Sequence, residues 1–195
     1  KTIVVLAADL KNGGILGVSK GVEEAAAALG WTVKTLDGAG SIGGRTAAFG
    51  QALALNPNGI IINGFDAVEQ KPAMEEAKKA GIPMVSWHAG PGVGPIDEVG
   101  VMANVGTDAM EVSKAAADWA YIDAKGKPGV IIFTDSTYAI AIAKADRMKK
   151  EIEDLGGTVL EYVDTPIAET SQRMPQLTTS LLQKYGDAWT HSLAI

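Results

Sequence analysis

The sequence predicts an α/β fold built of two doubly wound parallel-sheet lobes. Three observations carry this. Strand-like and helix-like segments alternate along all 195 residues. The segments GIIIN, IPMVSW and PGVIIF are apolar nearly throughout, as strands are when helices cover both faces of a parallel sheet. The alternation restarts near Val105, which divides the chain into an N-terminal lobe, 1–104, and a C-terminal lobe, 105–195.

In the first lobe, residues 2–8 form a short apolar strand. Ile15, Val18, Val22, Ala25 and Leu29 recur at helical spacing, and Gly30 is placed to end that helix. The strand over 31–36 alternates polar and apolar residues, which suits a sheet edge. A helix over 45–55 stops at Asn56 and Pro57. A strand over 59–63, a helix over 72–80 ended by Gly81, and a strand over 82–87 follow. A Gly/Pro-rich loop spans 88–95, and an extended segment 98–105. The second lobe reads as helix 108–124, strand 129–134, helix 140–155, strand 158–162, helix 171–185 and strand 188–195. Pro175 is expected in the first turn of its helix, where a missing N–H is harmless. No helix covers the last strand, so the second lobe is expected to continue past Ile195.

Composition excludes several functions. The net charge of −6 argues against nucleic acid, which needs a basic surface. With no cysteine there is no disulfide scaffold, thiolate metal site or cysteine nucleophile. No apolar run reaches the roughly 18 residues of a spanning helix. The chain opens directly on KTIVVLAA, without the features of a signal peptide. This fits a cytosolic protein or one whose signal peptide is absent from the sequence.

In open α/β sheets, ligands bind outside the carboxyl ends of the strands. Those loops carry Asp9, Lys11 and Asn12 after the first strand, and Trp87 and His88 at the end of the fourth. Asp135 and Tyr138 follow PGVIIF, and Asp164 and Glu169 lie in the loop after the next strand. Carboxylates accept from paired hydroxyls, asparagine both donates and accepts, and an aromatic ring covers the apolar face of a sugar. Each residue also has a plainer role. Asp9, Asn12 and Asp135 can cap helices, Trp87 can fill core, and His88 and Tyr138 can be ordinary loop residues. Glu169 can open a solvated helix.

Motifs for catalysis are weak. Gly38, Gly40 and Gly43 spell G-x-G-x-x-G after a strand and before a helix, the pattern of a dinucleotide-binding turn. That pattern belongs after a buried first strand, whereas here it follows an alternating one, and no acidic residue ends the next strand. There is no G-x-S-x-G, and His88 and His191 have no metal-ligand spacing. The expectation is a binding protein with no cofactor and no catalytic residue. The charge-rich helix KADRMKKEIED reads as a solvated face.

The stretches KTIVVLAADLKNGGILGVSKGVEEAAAALGW, GIIINGFDAVEQKPAMEEAKKAGIPMVSW and VGVMANVGTDAMEVSKAAADW resemble the ribose-binding-protein type of periplasmic solute-binding protein. The resemblance covers essentially the whole chain. It implies the periplasmic binding protein type I fold, with lobes that close on a sugar, polyol or similar small polar ligand. It also implies a monomer in the periplasm, delivery to the membrane permease of an ABC importer, and a first lobe-to-lobe crossing near 103–106.

By the same resemblance, Asn12 matches the sugar-contacting polar residue of the first loop. The two stacking aromatics that normally follow it match Gly14 and Ile15, and the usual Asp-Arg pair matches His88 and Ala89. Trp87 is placed to replace part of the lost aromatic surface. Lys144 is the only cation near the position of an arginine early in the helix after PGVIIF. The pocket is therefore not built for ribose. The ligand-sensing domains of LacI/GalR-type transcription regulators share this likeness and are the alternative, followed by a nucleotide-dependent Rossmann-type enzyme.

Overall fold

Parallel pairing organises the first sheet around β1 (Thr2–Ala7), in a computed structural model describing residues 1–195. α1 (Gly13–Ala28) leads to β2 (Thr32–Asp37), and α2 (Ile42–Ala54) leads to β3 (Gly59–Asn63). α3 (Lys71–Lys79), β4 (Met84–Trp87), β5 (Gly94–Ile96) and β6 (Val101–Val105) follow. The strand order is β2-β1-β3-β4-β6-β5. All pairs are parallel except β5 with β6. The chain winds outward from β1 in both directions, so the topological switch point lies between β1 and β3. β2 is an edge strand, as its alternation predicts.

Local chemistry sets the boundaries. Asn12 caps α1 by accepting from the N–H groups of Gly14 and Ile15. Ser41 caps α2 by accepting from Gly44 N–H, which starts that helix at Ile42 rather than at the expected residue 45. β4 starts at Met84 rather than 82, because Pro83 has no N–H and Ile82 N–H closes the end of α3 on Ala77 C=O. The extended segment expected over 98–105 is split. Residues 97–99 form a 3-10 turn, Gly100 is left-handed (φ 74°), and β6 begins after it. The short antiparallel β5 has no precedent in the sequence reading.

The chain divides into two compact units, Lys1–Thr107 and Asp108–Ile195. The second contains α4 (Ala109–Asp123), β7 (Gly129–Thr134), α5 (Ala139–Asp154), β8 (Thr158–Asp164), α6 (Thr170–Tyr185) and β9 (His191–Ala194). Its sheet runs β8-β7-β9, all parallel. Every residue of β7 is buried. Val130 and Ile132 pack with Ala117, Ala120, Ala145, Met148, Ile152 and Leu193 on one side. Ile131 and Phe133 pack with Val163 and Leu181 on the other. Each such aliphatic side chain contributes about 1.5–3 kcal/mol by leaving water, which explains the unbroken apolar run PGVIIF.

Pro175 departs from expectation. It lies inside α6 (Thr170–Tyr185), in the second turn rather than the first. His191 opens β9, at the end of the sheet opposite the carboxyl-end loops. Its ring nitrogens contact Asp123 Oδ2 (3.0 Å) and Thr190 Oγ1 (2.9 Å) and tie β9 to α4.

Candidate functional site

At the carboxyl end of the first sheet the loops are held in step by main-chain bonds. Ala8 N–H donates to Asn63 C=O, Gly64 N–H to Trp87 C=O, and His88 N–H to Val105 C=O. This brings the ends of β1, β3, β4 and β6 level around the switch point. Trp87 ends β4 half-buried, and its indole stacks on the His88 imidazole with centroids 4.2 Å apart and planes 2° from parallel. His88 itself is left-handed (φ 47°), a conformation histidine adopts more readily than most residues. Two glycines border the outer edge of the indole. A Cβ on Gly14 would sit 3.7 Å from Trp87 Cη2, and one on Gly64 would sit 3.7 Å from Trp87 Cζ3. The indole edge thus reaches exposed Gly14, one of the two positions where the resemblance anticipates an aromatic ring.

The polar residues of the first loop are largely engaged. Asn12 Oδ1 accepts from Gly14 N–H (2.9 Å) and Ile15 N–H (3.4 Å), leaving its Nδ2 amide as the group it can offer outward. Asp9 is 5% exposed, and its Oδ1 accepts from Lys11 N–H at 2.9 Å. Its Oδ2 lies against Gly40, 2.9 Å from where a Cβ would be.

The first two glycines of the motif, Gly38 and Gly40, serve packing, while Gly43 faces open space. Gly38 lies on the Arg45 side chain, whose Cγ would be 2.4 Å from a Cβ there, and a Cβ on Gly44 would be 2.1 Å from Gly38 C=O. Gly38 N–H donates to Ala7 C=O, Ala39 N–H to Asp37 Oδ1, Gly40 N–H to Ala8 C=O, and Ser41 N–H to Gly38 C=O. A phosphate-cradling loop presents such donors to its ligand; these four are spent inside the fold. Buried Arg45 is matched by Glu69 through Nε to Oε1 (2.8 Å) and Nη2 to Oε2 (2.7 Å). Burial pushes the Glu69 carboxyl up, but bonds from Arg45 and Gln70 and the Arg45 charge outweigh it and hold it below its ordinary value.

In the second unit the carboxylates brace loops. Asp135, 3% exposed, accepts from Thr137 N–H (3.0 Å) and Thr137 O–H (2.6 Å) on Oδ1, and from Ile167 N–H (2.8 Å) on Oδ2. Asp164 returns the tie by accepting from Ser136 N–H (2.8 Å) and Ser136 O–H (2.6 Å). Those two bonds, the hydroxyl's first, hold the Asp164 carboxyl below its ordinary value. Tyr138 is half-buried at the start of α5, and Lys144 is half-buried within α5. Glu169 pairs with Arg173 one helical turn on, both about half exposed. A cleft of about 430 Å³ runs beside these loops, lined in part by Phe133, Thr165, Met174, Trp189 and Ser192. The buried Thr165 hydroxyl has no hydrogen-bond partner.

Residues 3–192 match the model of the periplasmic binding protein domain family. The chain belongs to that family. Several solved structures share the fold. A galactofuranose binding protein is 19% identical with a TM-score of 0.80, the match covering 99% of this chain and 66% of that one. A sugar ABC transporter subunit from Rhodobacter sphaeroides is 19% identical with a TM-score of 0.82, covering 100% and 68%. A glucose-galactose binding protein from Geobacillus stearothermophilus is 23% identical with a TM-score of 0.77, covering 95% and 65%. The chain thus spans about two thirds of their length. No curated protein matches in sequence.

Two residues of this periplasmic binding protein domain escaped the sequence reading. Asn104, 4% exposed in β6, accepts from Ser86 O–H (2.9 Å) and Ala89 N–H (3.0 Å) and donates to Gly92 C=O. It fixes the loop that leaves His88. Its signal was an asparagine inside the extended run VGVMANV. Thr165 was the other, and a lone threonine after a strand carries no signal.

Proposed function

We propose that this protein is an extracytoplasmic solute-binding protein, of the ribose-binding type, that captures a sugar or polyol for the permease of an ABC importer. The observation that carries this reading is the stacked Trp87–His88 pair bordered by Gly14 and Gly64 at the switch point of a parallel sheet. The indole face turned away from His88 takes up the C–H face of a sugar, while the neighbouring Asn12 amide bonds its hydroxyls. Family membership and the sugar-binding neighbours support the same class. Asn12, Trp87 and His88 are the proposed contacts in the first unit, with Asp9 as their support. In the second unit Tyr138 and, from within α5, Lys144 are the proposed contacts, with Asp135 holding the loop that leads to Tyr138 and Glu169 at its margin. Binding draws on hydrogen bonds made as water leaves and involves no chemistry. The protein acts as a monomer in the periplasm.

Thermal unfolding and calorimetry with L-arabinose, D-galactose, D-glucose and allitol test this. At 100 times Kd a ligand adds about 2.7 kcal/mol of stability, and the sugar is recovered unaltered. Absence of binding by all four, or consumption of any, overturns the reading.

A further inference from the structure

The Trp87–His88 surface depends on two residues that have no side chain. Gly106 follows β6, and its φ is outside the left-handed region, so its backbone accepts alanine. What forbids a side chain is the His88 ring. A Cβ at 106 would lie 2.5 Å from His88 Cδ2 and 3.0 Å from Nε2. With its backbone held through His88 N–H to Val105 C=O at 3.1 Å, the ring could clear that Cβ only by turning away from the Trp87 indole on which it stacks. At Gly14 the limit is softer. A methyl would touch Trp87 Cη2 at 3.7 Å and Asn12 Oδ1 at 3.3 Å, and an aromatic side chain there would compete with the indole for the same surface. Gly64 also borders the ring, but its φ of 85° and the Ile15 side chain 2.7 Å from a Cβ make it a backbone requirement in its own right.

We propose that Gly106 is a positioning residue and Gly14 a specificity-determining residue for the Trp87–His88 surface. Gly106 keeps the imidazole coplanar with the indole, and Gly14 keeps the indole, rather than a first-loop side chain, as the ring offered to the solute. The ligand class this favours is a cyclic sugar whose apolar C–H face lies on the indole face that His88 leaves open. The inference rests on the sugar-binding reading above.

The test uses the full-length protein, with calorimetry against L-arabinose, D-galactose, D-glucose and allitol and near-UV circular dichroism as a readout of tryptophan packing. Gly106→Ala is expected to weaken sugar binding at least tenfold and to change the near-UV band. His88→Asn keeps a residue that tolerates the left-handed backbone and removes the ring. In that background Gly106→Ala is expected to add nothing, because the group it displaces is gone. Gly14→Phe is expected to lose at least tenfold or to change the order of preference among the three sugars and allitol. Gly17→Ala on the same helix, with open space around its Cβ position, stays within twofold of wild type. Wild-type affinity in Gly106→Ala, or equal losses from it with and without His88, overturns the role of Gly106. Unchanged affinity and preference in Gly14→Phe overturns the role of Gly14. If Gly106→Ala fails to fold, the double variant decides: failure there as well refutes action through His88. If wild type binds none of the three sugars or allitol, the functional reading fails, and the near-UV band of Gly106→Ala still judges the packing.

Discussion

The two units solve the same topological problem with different chemistry. Both place loops at the carboxyl ends of parallel strands. In the first, the prominent feature is an aromatic stack bordered by glycines. In the second, it is a pair of carboxylates whose oxygens each accept from neighbouring loop donors. An acid at a strand end is therefore no guide to ligand contact until its lone pairs are counted. Asp135 and Asp164 hold two loops together, and what those loops present is left to Tyr138, Thr165 and the nearby helix.

The sharpest way to break this comparison is Asp135→Asn. The amide matches one side of the carboxylate but turns a donor toward N–H or O–H groups on the other. Three charge-assisted bonds are disturbed at a buried site, so a loss of about 3 kcal/mol is expected, read by urea unfolding. A stable variant with weakened sugar binding reverses the assignment and makes Asp135 a direct contact. Trp87→Ala comes next. Loss of the ring is expected to weaken sugar binding by about 2 kcal/mol, roughly thirtyfold, by calorimetry. Unchanged affinity would return Trp87 to simple packing.

Much of this contrast lay beyond the sequence, and the reasons are physical. The layering was readable because burial on both faces leaves a contiguous apolar run, as in β3 and β7. β2 betrayed its edge position by alternation. β5 was not readable, because three residues of Gly-Pro-Ile carry no period. The candidate loops followed from the rule that ligands lie at strand carboxyl ends, but the rule names loops and not atoms. Asn12 reads equally well as a cap and as a contact, and only the bonds to Gly14 and Ile15 show how its oxygen is used. The glycines tell the same story. G-x-G-x-x-G looks like a phosphate turn until the Gly38 and Gly44 packing is seen, whereas Gly14 and Gly106 matched no motif yet border the aromatic stack.

Asn12 offers a finer test. Asn12→Ala removes the cap and is expected to cost about 1 kcal/mol, while Asn12→Ser keeps a capping oxygen and restores most of it. If Nδ2 meets the solute, Asn12→Ser recovers thermal stability without recovering affinity. Full recovery of both confines Asn12 to the cap. A pH titration separates the braces by charge. Asp164 and Glu69 both have carboxyls held below their ordinary values of 3.8 and 4.5. A depressed folded-state pKa gives stability that is fully present above the unfolded value and is lost as pH falls through the folded one. Acid unfolding monitored by circular dichroism should therefore begin below about pH 4.5, and Asp164→Asn should flatten that limb. An acid limb of unchanged slope in the variant would remove Asp164 from the brace.

The smallest effect is expected at Glu169, and it bears directly on how the second unit is read. Its pairing with Arg173 is a one-turn helix pair with both side chains about half exposed. Such pairs contribute no more than about 0.5 kcal/mol, so Glu169→Gln should leave thermal unfolding nearly unchanged. Affinity should also be nearly unchanged if the residue stands at the margin of the loops. A tenfold loss of sugar binding without loss of stability would mean that this carboxylate exchanges Arg173 for the solute. The second unit would then offer an acid to the ligand through a solvated residue while its buried acids keep the loops in place.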